Sequence, residues 1–118
     1  MKTILVTGSR DWTDETIIRN ALQEHSSPGD TLIHGVAMGA DSICASLAEE
    51  FGLNVIGMPA DWKNYGKRAG IIRNLQMLAR DPDIVLAFPL RQSKGTTHMI
   101  SVARQRGYKV YIYEFNED

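Results

Sequence analysis

A single cysteine, Cys44, stands in 118 residues, so no disulfide can form within the chain. A reducing cytoplasm is the expected compartment. The three histidines, His25, His34 and His98, fall in separate segments without ligand spacing, and the lone thiol sits on an apolar helical stripe. No metal site is expected from that arrangement. No run of about 20 apolar residues occurs, and the stretch before Gly8 is too short for a secretion signal or a membrane span. Neither sign of charge dominates, since 13 Lys and Arg against 14 Asp and Glu leave a formal net charge of −1. That balance speaks against a broad nucleic-acid footprint, although not against a local basic groove. Repeats and low-complexity tracts are missing too. The ordinary hydrophobic share of 43% and the length fit one soluble domain with a true core. The polar tail, 114–118, is expected to fray.

What the chain does have is a regular alternation of strand-like and helix-like segments. Residues 3–7, 31–34, 54–58, 84–88 and 108–113 read as strands. Between them, apolar residues recur at helical spacing: Ile17, Ile18, Ala21 and Leu22, then Ile43, Cys44, Leu47, Ala48 and Phe51. The third such stripe is Ile71, Ile72, Leu75 and Leu78, and the fourth is Met99, Ile100 and Ala103. Thr13 is expected to cap the first helix, with Asp14 and Glu15 in its first turn and Trp12 stapled onto Ile17. Gly52 and Gly107 close the second and fourth helices, and Pro82 stops the third. The alternation predicts an α/β fold, a Rossmann-like three-layer sandwich around a five-stranded parallel sheet. The expected strand order is 3-2-1-4-5, which sets the first and fourth strands side by side where the winding reverses. Lys109 and the tyrosines around it suit an edge for the fifth strand.

Three strands run into glycine turns that open helices. These are Gly8-Ser9-Arg10, then Gly35-Val36-Ala37-Met38-Gly39-Ala40-Asp41, then Pro89 followed by a polar stretch and Gly95-Thr96-Thr97. In a parallel sheet such turns share the carboxyl edge, where helix N-termini offer unpaired N–H groups and partial positive charge. A small anionic ligand is the natural occupant. The first turn matches neither the dinucleotide fingerprint nor the P-loop, so no standard cofactor is assigned. A Ser9 hydroxyl and an Arg10 fork still make a phosphate or carboxylate clamp, unless Arg10 pairs with Asp11 or Asp14 instead. Gly35 and Gly39 let backbone approach a ligand, while Asp41 either holds a ribose hydroxyl or caps the second helix. His34 reads as a hydrogen-bonded core or rim histidine.

Farther on, Trp62 and Tyr65 lie among Lys63, Lys67, Arg68 and Arg73, so base and phosphate both find partners, or the lysines are simply solvated. Arg73 and Asn74, in the first turns of the third helix, reach the same edge. Gly95, Thr96 and Thr97 form a second phosphate seat that is compatible with capping.

Taken together, these segments resemble the SLOG superfamily, the Rossmann-like group named after DNA-processing SMF proteins and LOG phosphoribohydrolases. The small single-domain branch found in bacteria and phages is the best match. The resemblance spans nearly the whole chain. It rests on Gly8-Ser9-Arg10, His34-Gly35 with Gly39-Ala40-Asp41, Pro59-Ala60-Asp61-Trp62, Arg73-Asn74 with Met77, and 83–89 with Gly95-Thr96. It implies binding of nucleotides or nucleotide-derived molecules, NAD- or ADP-ribose-like ones included, at the carboxyl edge. In the LOG branch a Pro-Gly-Gly-x-Gly-Thr-x-x-Glu motif and an upstream arginine support cleavage of an N-glycosidic bond. Arg73 matches that arginine by position. Pro89 and Gly95-Thr96 remain of the motif, but the double glycine is gone and Met99 stands at the glutamate position.

Methionine can neither act as acid or base nor stabilise a cationic centre. The expectation is therefore a binding module for a nucleotide derivative. Its ligand residues would be Gly8, Ser9, Arg10, Gly35, Gly39, Asp41, Asp61, Trp62, Arg73, Asn74, Pro89, Gly95, Thr96 and Thr97. The first alternative is a nucleotide N-glycosidase or phosphoribohydrolase, with Asp61, Arg73 and His98 as catalytic candidates and Asp41 as a further acid. The second is a single-stranded nucleic-acid binder using the basic stretch 63–73, which the near-neutral charge disfavours. No membrane partner is expected, and a homodimer stays open.

Overall fold

The computed structural model describes residues 1–90 and 93–114, so the tail 115–118 lies outside the described residues. Its elements are β1 (Thr3–Gly8), α1 (Glu15–His25), β2 (Thr31–His34), α2 (Ala40–Glu50), β3 (Asn54–Gly57), α3 (Trp62–Tyr65), α4 (Ala69–Leu78), β4 (Ile84–Phe88), α5 (Lys94–Gln105) and β5 (Lys109–Ile112). A 3-10 turn, Gly66–Arg68, joins α3 to α4. All four strand pairings are parallel, in the order β3-β2-β1-β4-β5. This is the Rossmann-like α/β arrangement and the strand order read from the sequence.

Apolar runs without alternation mark strands buried on both faces, and the sheet shows why. Ile4 and Val6 of β1 point with Leu32, Leu86 and Phe88 into a core closed by Ile18 and Leu22 of α1 and by Cys44, Leu47 and Ala48 of α2. Leu5, Ile33 and Val85 face the other way, onto Met77 and Leu78 of α4 and Met99 and Ala103 of α5. The register sets Leu5 opposite both Ile33 and Val85, so adjacent strands present matched side chains to each layer. The edge strands β3 and β5 are half-buried in their middles and exposed at both ends.

Two local features depart from the sequence expectation. The first helix is capped by Asp14, whose carboxylate accepts from the Ile17 N–H at 3.1 Å, and not by Thr13. Aspartate is the stronger cap, and the Trp12 indole N–H bonded to the Asp14 carbonyl at 2.8 Å helps hold that residue at the boundary. Secondly, 62–68 is a helical turn followed by a 3-10 turn, where the sequence suggested a loop. Asp61 nucleates it by accepting from the N–H and side-chain amide of Asn64. Four residues are too few to show a helical period.

Candidate functional site

The carboxyl ends of β1 and β4 meet at the switch point of the sheet, where open α/β sheets form their ligand crevices. A cleft of about 440 Å³ opens there, lined by β1 and its turn, by Ala37 and Asp41, by Trp62 and one face of α4, and by the start of α5. The turn after β1 is bound tightly to its neighbours. Ser9 N–H donates to the Phe88 carbonyl at 3.0 Å, and the Ser9 carbonyl accepts from the N–H of Ala40 at 3.1 Å. Gly8 must be glycine because a Cβ there would lie 2.4 Å from Ala40 Cβ. The Ser9 hydroxyl oxygen accepts from Asp11 N–H at 3.1 Å, closing its own turn. Arg10 is exposed and makes no hydrogen bond or ion pair with any described residue, so the surface pairing with Asp11 or Asp14 is not formed.

The first three N–H groups of the β2–α2 loop are satisfied within it. Gly35 and Ala37 donate their N–H groups to Asp41 Oδ2 at 2.9 and 3.3 Å, and Val36 N–H donates to His34 Nδ1 at 3.0 Å. Three consecutive donors are thus consumed by side chains. Val36, a β-branched residue, is held at a φ of 58° in the left-handed region. Asp41 therefore organises its own loop, and Gly39, not Asp41, occupies the N-cap of α2.

Burial raises the Asp41 pKa above its ordinary value, against the two N–H bonds and the nearby His34 and Arg73. An acid raised on folding binds more protons folded than unfolded. Its stabilising influence is full below the ordinary value of about 4 and is lost as pH rises through the raised one. Asp41→Asn keeps a carbonyl oxygen for both N–H groups. Its stability relative to the wild type is expected to improve as pH rises from about 4 toward neutrality, read by urea denaturation. A gap that stays flat, or moves the other way, would contradict this assignment.

The start of α5 offers what the β2–α2 loop withholds. Ser93 is its N-cap without a side-chain bond into the helix, and the N–H groups of Lys94, Gly95 and Thr96 find no acceptor among the described residues. Lys94 and Thr96 line the cleft beside Arg10, and neither cation has a described acidic partner. A helix N-terminus with two cations close by is chemically an anion seat. Trp62 stands at the rim, 62% exposed, with its ring against Gly70.

Of the residues expected at the site, Gly8, Ser9, Arg10, Asp41, Trp62, Arg73, Asn74, Gly95 and Thr96 line the cleft together. Gly35 and Gly39 shape the loops behind it. Asp61, Pro89, Thr97 and His98 are not among the described residues lining it. Thr7, Asp11, Ser93 and Lys94 line it without having been anticipated, as do Gly70 and Met77. A signal for α4 existed, since Gly70, Arg73, Asn74 and Met77 stand at i, i+3, i+4 and i+7 on one helical face. Met99 is fully buried in the core with residues of the sheet, α4 and α5, and is not among the described residues lining the cleft. Cys44 is buried, and desolvation with the nearby Asp41 pushes its thiol pKa well up, which makes it unreactive. Among the described residues no group of three His, Cys, Asp or Glu side chains could hold a metal ion, and no helix is long and apolar enough to cross a membrane.

Residues 2–65 match the family model described as YAcAr, the YspA, cpYpsA-related SLOG family. The chain is also similar to the Gene 61 protein of Mycobacterium phage D29, with 42% identity over 118 residues that cover 93% of this chain and 94% of that protein. The matched region carries the turns after β1 and β2, which form one side of the cleft, and the phage relative extends the likeness through α4 and α5. On the fold, the cleft and these two matches, the chain belongs to the YspA, cpYpsA-related SLOG family.

Proposed function

We propose that the protein binds a phosphate-bearing nucleotide derivative, of the nucleoside monophosphate or ADP-ribose kind, in the cleft at the β1–β4 switch point. The observation that carries this reading is a single cleft lined by Arg10 and Lys94, both without a described acidic partner, and by the unsatisfied N-terminus of α5. A phosphate there takes charge-assisted bonds from side chains and backbone together. Trp62 offers its exposed ring to a base at the rim. The ligand is held and not cleaved. Asp41 is engaged with its own loop, Met99 is in the core, and Asp61 and His98 lie away from the cleft lining. The buried free thiol suits a reducing, cytoplasmic setting for the same domain.

Thermal shift and calorimetry with AMP, ADP-ribose and NAD test the reading, with chromatography of the same mixtures for free base. At least one of the three is expected to raise Tm, since a ligand at about 100 times its Kd stabilises by about 2.7 kcal/mol. Arg10→Ala is expected to weaken that binding by about tenfold or more at nearly unchanged stability, from the loss of a charge-assisted bond. Base release would favour the hydrolase alternative. Silence toward all three, with salt-sensitive binding of single-stranded DNA, would favour the nucleic-acid alternative.

A further inference from the structure

The cleft has two walls from different halves of the sheet, the β2–α2 loop and the first turn of α5, and Asn74 stands between them. It is 3% exposed, and its amide is almost fully engaged. Oδ1 accepts from Arg73 Nε at 3.2 Å, while Nδ2 faces the Gly95 carbonyl at 3.1 Å and His98 Nδ1 at 3.2 Å. A guanidinium nitrogen can only donate and a peptide carbonyl can only accept, so these two partners fix which way round the amide sits. Nδ2 then has to donate to His98 Nδ1, and the neutral imidazole carries its proton on Nε2. Both amide hydrogens are spent inside the protein. Asn74 has none left to offer a phosphate, although it lines the cleft.

Arg73 continues the chain of contacts. Its Nη1 donates to the Gly35 carbonyl at 2.5 Å, and a Cβ on Gly35 would lie 2.5 Å from the same atom, so the guanidinium rests directly on that backbone. Two of its five N–H groups are used, which leaves three for the cleft.

We infer that Asn74 is the positioning residue of the cleft, tying the Arg73 guanidinium on the β2–α2 wall to the first turn of α5, so that cation and helix N-terminus meet an anion already aligned. The inference rests on the nucleotide-binding reading for its ligand, but the tie itself has a readout without one. Preorganised donors lose less freedom on binding than mobile ones, which is how a residue that cannot donate to the anion raises affinity for it.

The test is nuclear magnetic resonance on the 15N-labelled full chain, with AMP as the probe. Asn74→Ala, folded by circular dichroism, is expected to shift the Gly35 and Gly95 amide resonances together before any ligand is added. It is also expected to weaken AMP binding about tenfold, the scale of a lost hydrogen-bonded support. Asn74→Asp keeps an acceptor for Arg73 and removes both donations, so the His98 proton is expected to move onto Nδ1, read from the ring 15N shifts. This second variant serves if Asn74→Ala does not fold. Unmoved Gly35 and Gly95 resonances, an unchanged His98 ring, or an unchanged AMP affinity in folded Asn74→Ala would each overturn the inference. Failure of the wild type to bind AMP would count against the nucleotide reading alone, because the ligand-free shifts still decide the tie.

Discussion

Gly39→Ala is expected to destabilise the fold by about 3 kcal/mol or more, from backbone strain and steric overlap acting together. Gly39 is the N-cap of α2 with φ 69° and ψ −123°, a conformation that residues with a Cβ rarely adopt. The space is closed as well. A Cβ there would lie 2.3 Å from the Arg10 carbonyl oxygen and 2.5 Å from that of Ser9. Both are backbone atoms, so no side chain can swing aside to relieve the contact. The alternative is for α2 to back away from β1, which breaks the Ala40 N–H bond to the Ser9 carbonyl and opens the layer packed around Cys44 and Leu47. Urea denaturation measures the loss, and a shift below about 1 kcal/mol would show that the two turns are not rigidly interlocked.

Trp12→Ala is expected to cost about 3 to 5 kcal/mol, the range for deleting a large buried aromatic. Trp12 is 1% exposed although it lies in the turn beside Arg10 and Asp11. Its ring meets Phe88 edge-on at 5.5 Å, and Phe88 in turn stacks on Tyr113 at 5.3 Å. The indole N–H is bonded to the Asp14 carbonyl, so truncation also loosens the start of α1. Against a usual total of about 5 to 15 kcal/mol, this is a large fraction of what holds such a domain together. Because the same residue anchors the turn that carries Arg10, nucleotide affinity should fall in parallel wherever the variant remains folded. A loss near 1 kcal/mol would mean that the cavity collapses without consequence.

The two residues show how differently legible the chain was. Spacing predicts a local staple of Trp12 onto Ile17, but its ring meets Phe88, on a strand far along the chain. Gly39 sat in a turn already marked by its glycines, yet nothing in one dimension says that the Arg10 carbonyl occupies the place of its Cβ. From the sequence Asp41 reads as a ribose holder or a cap; Gly39 takes the N-cap of α2, and Asp41 Oδ2 accepts from the Gly35 and Ala37 N–H groups. Arg73 and Asn74, which the sequence sets in the first turns of a helix, line the cleft. Their partners Gly35, Gly95 and His98, 21 to 38 residues away, could not be read from periodicity.

The amino-acid sequence by itself determined the alternation of strands and helices, the glycine turns and the apolar faces. Each depends on local backbone preference or on a period of two or 3.6 residues, and these are present in the unfolded chain. Tertiary structure decided which donors at the carboxyl edge are left for a ligand. Bonds within the β2–α2 loop consume the N–H groups of Gly35, Val36 and Ala37, and contacts from α4 to α5 consume both amide hydrogens of Asn74, while Arg10, Lys94 and the start of α5 keep theirs. The Asn74 share of that allocation is settled only when α4 and α5 pack side by side and bring Gly95 and His98 within bonding distance.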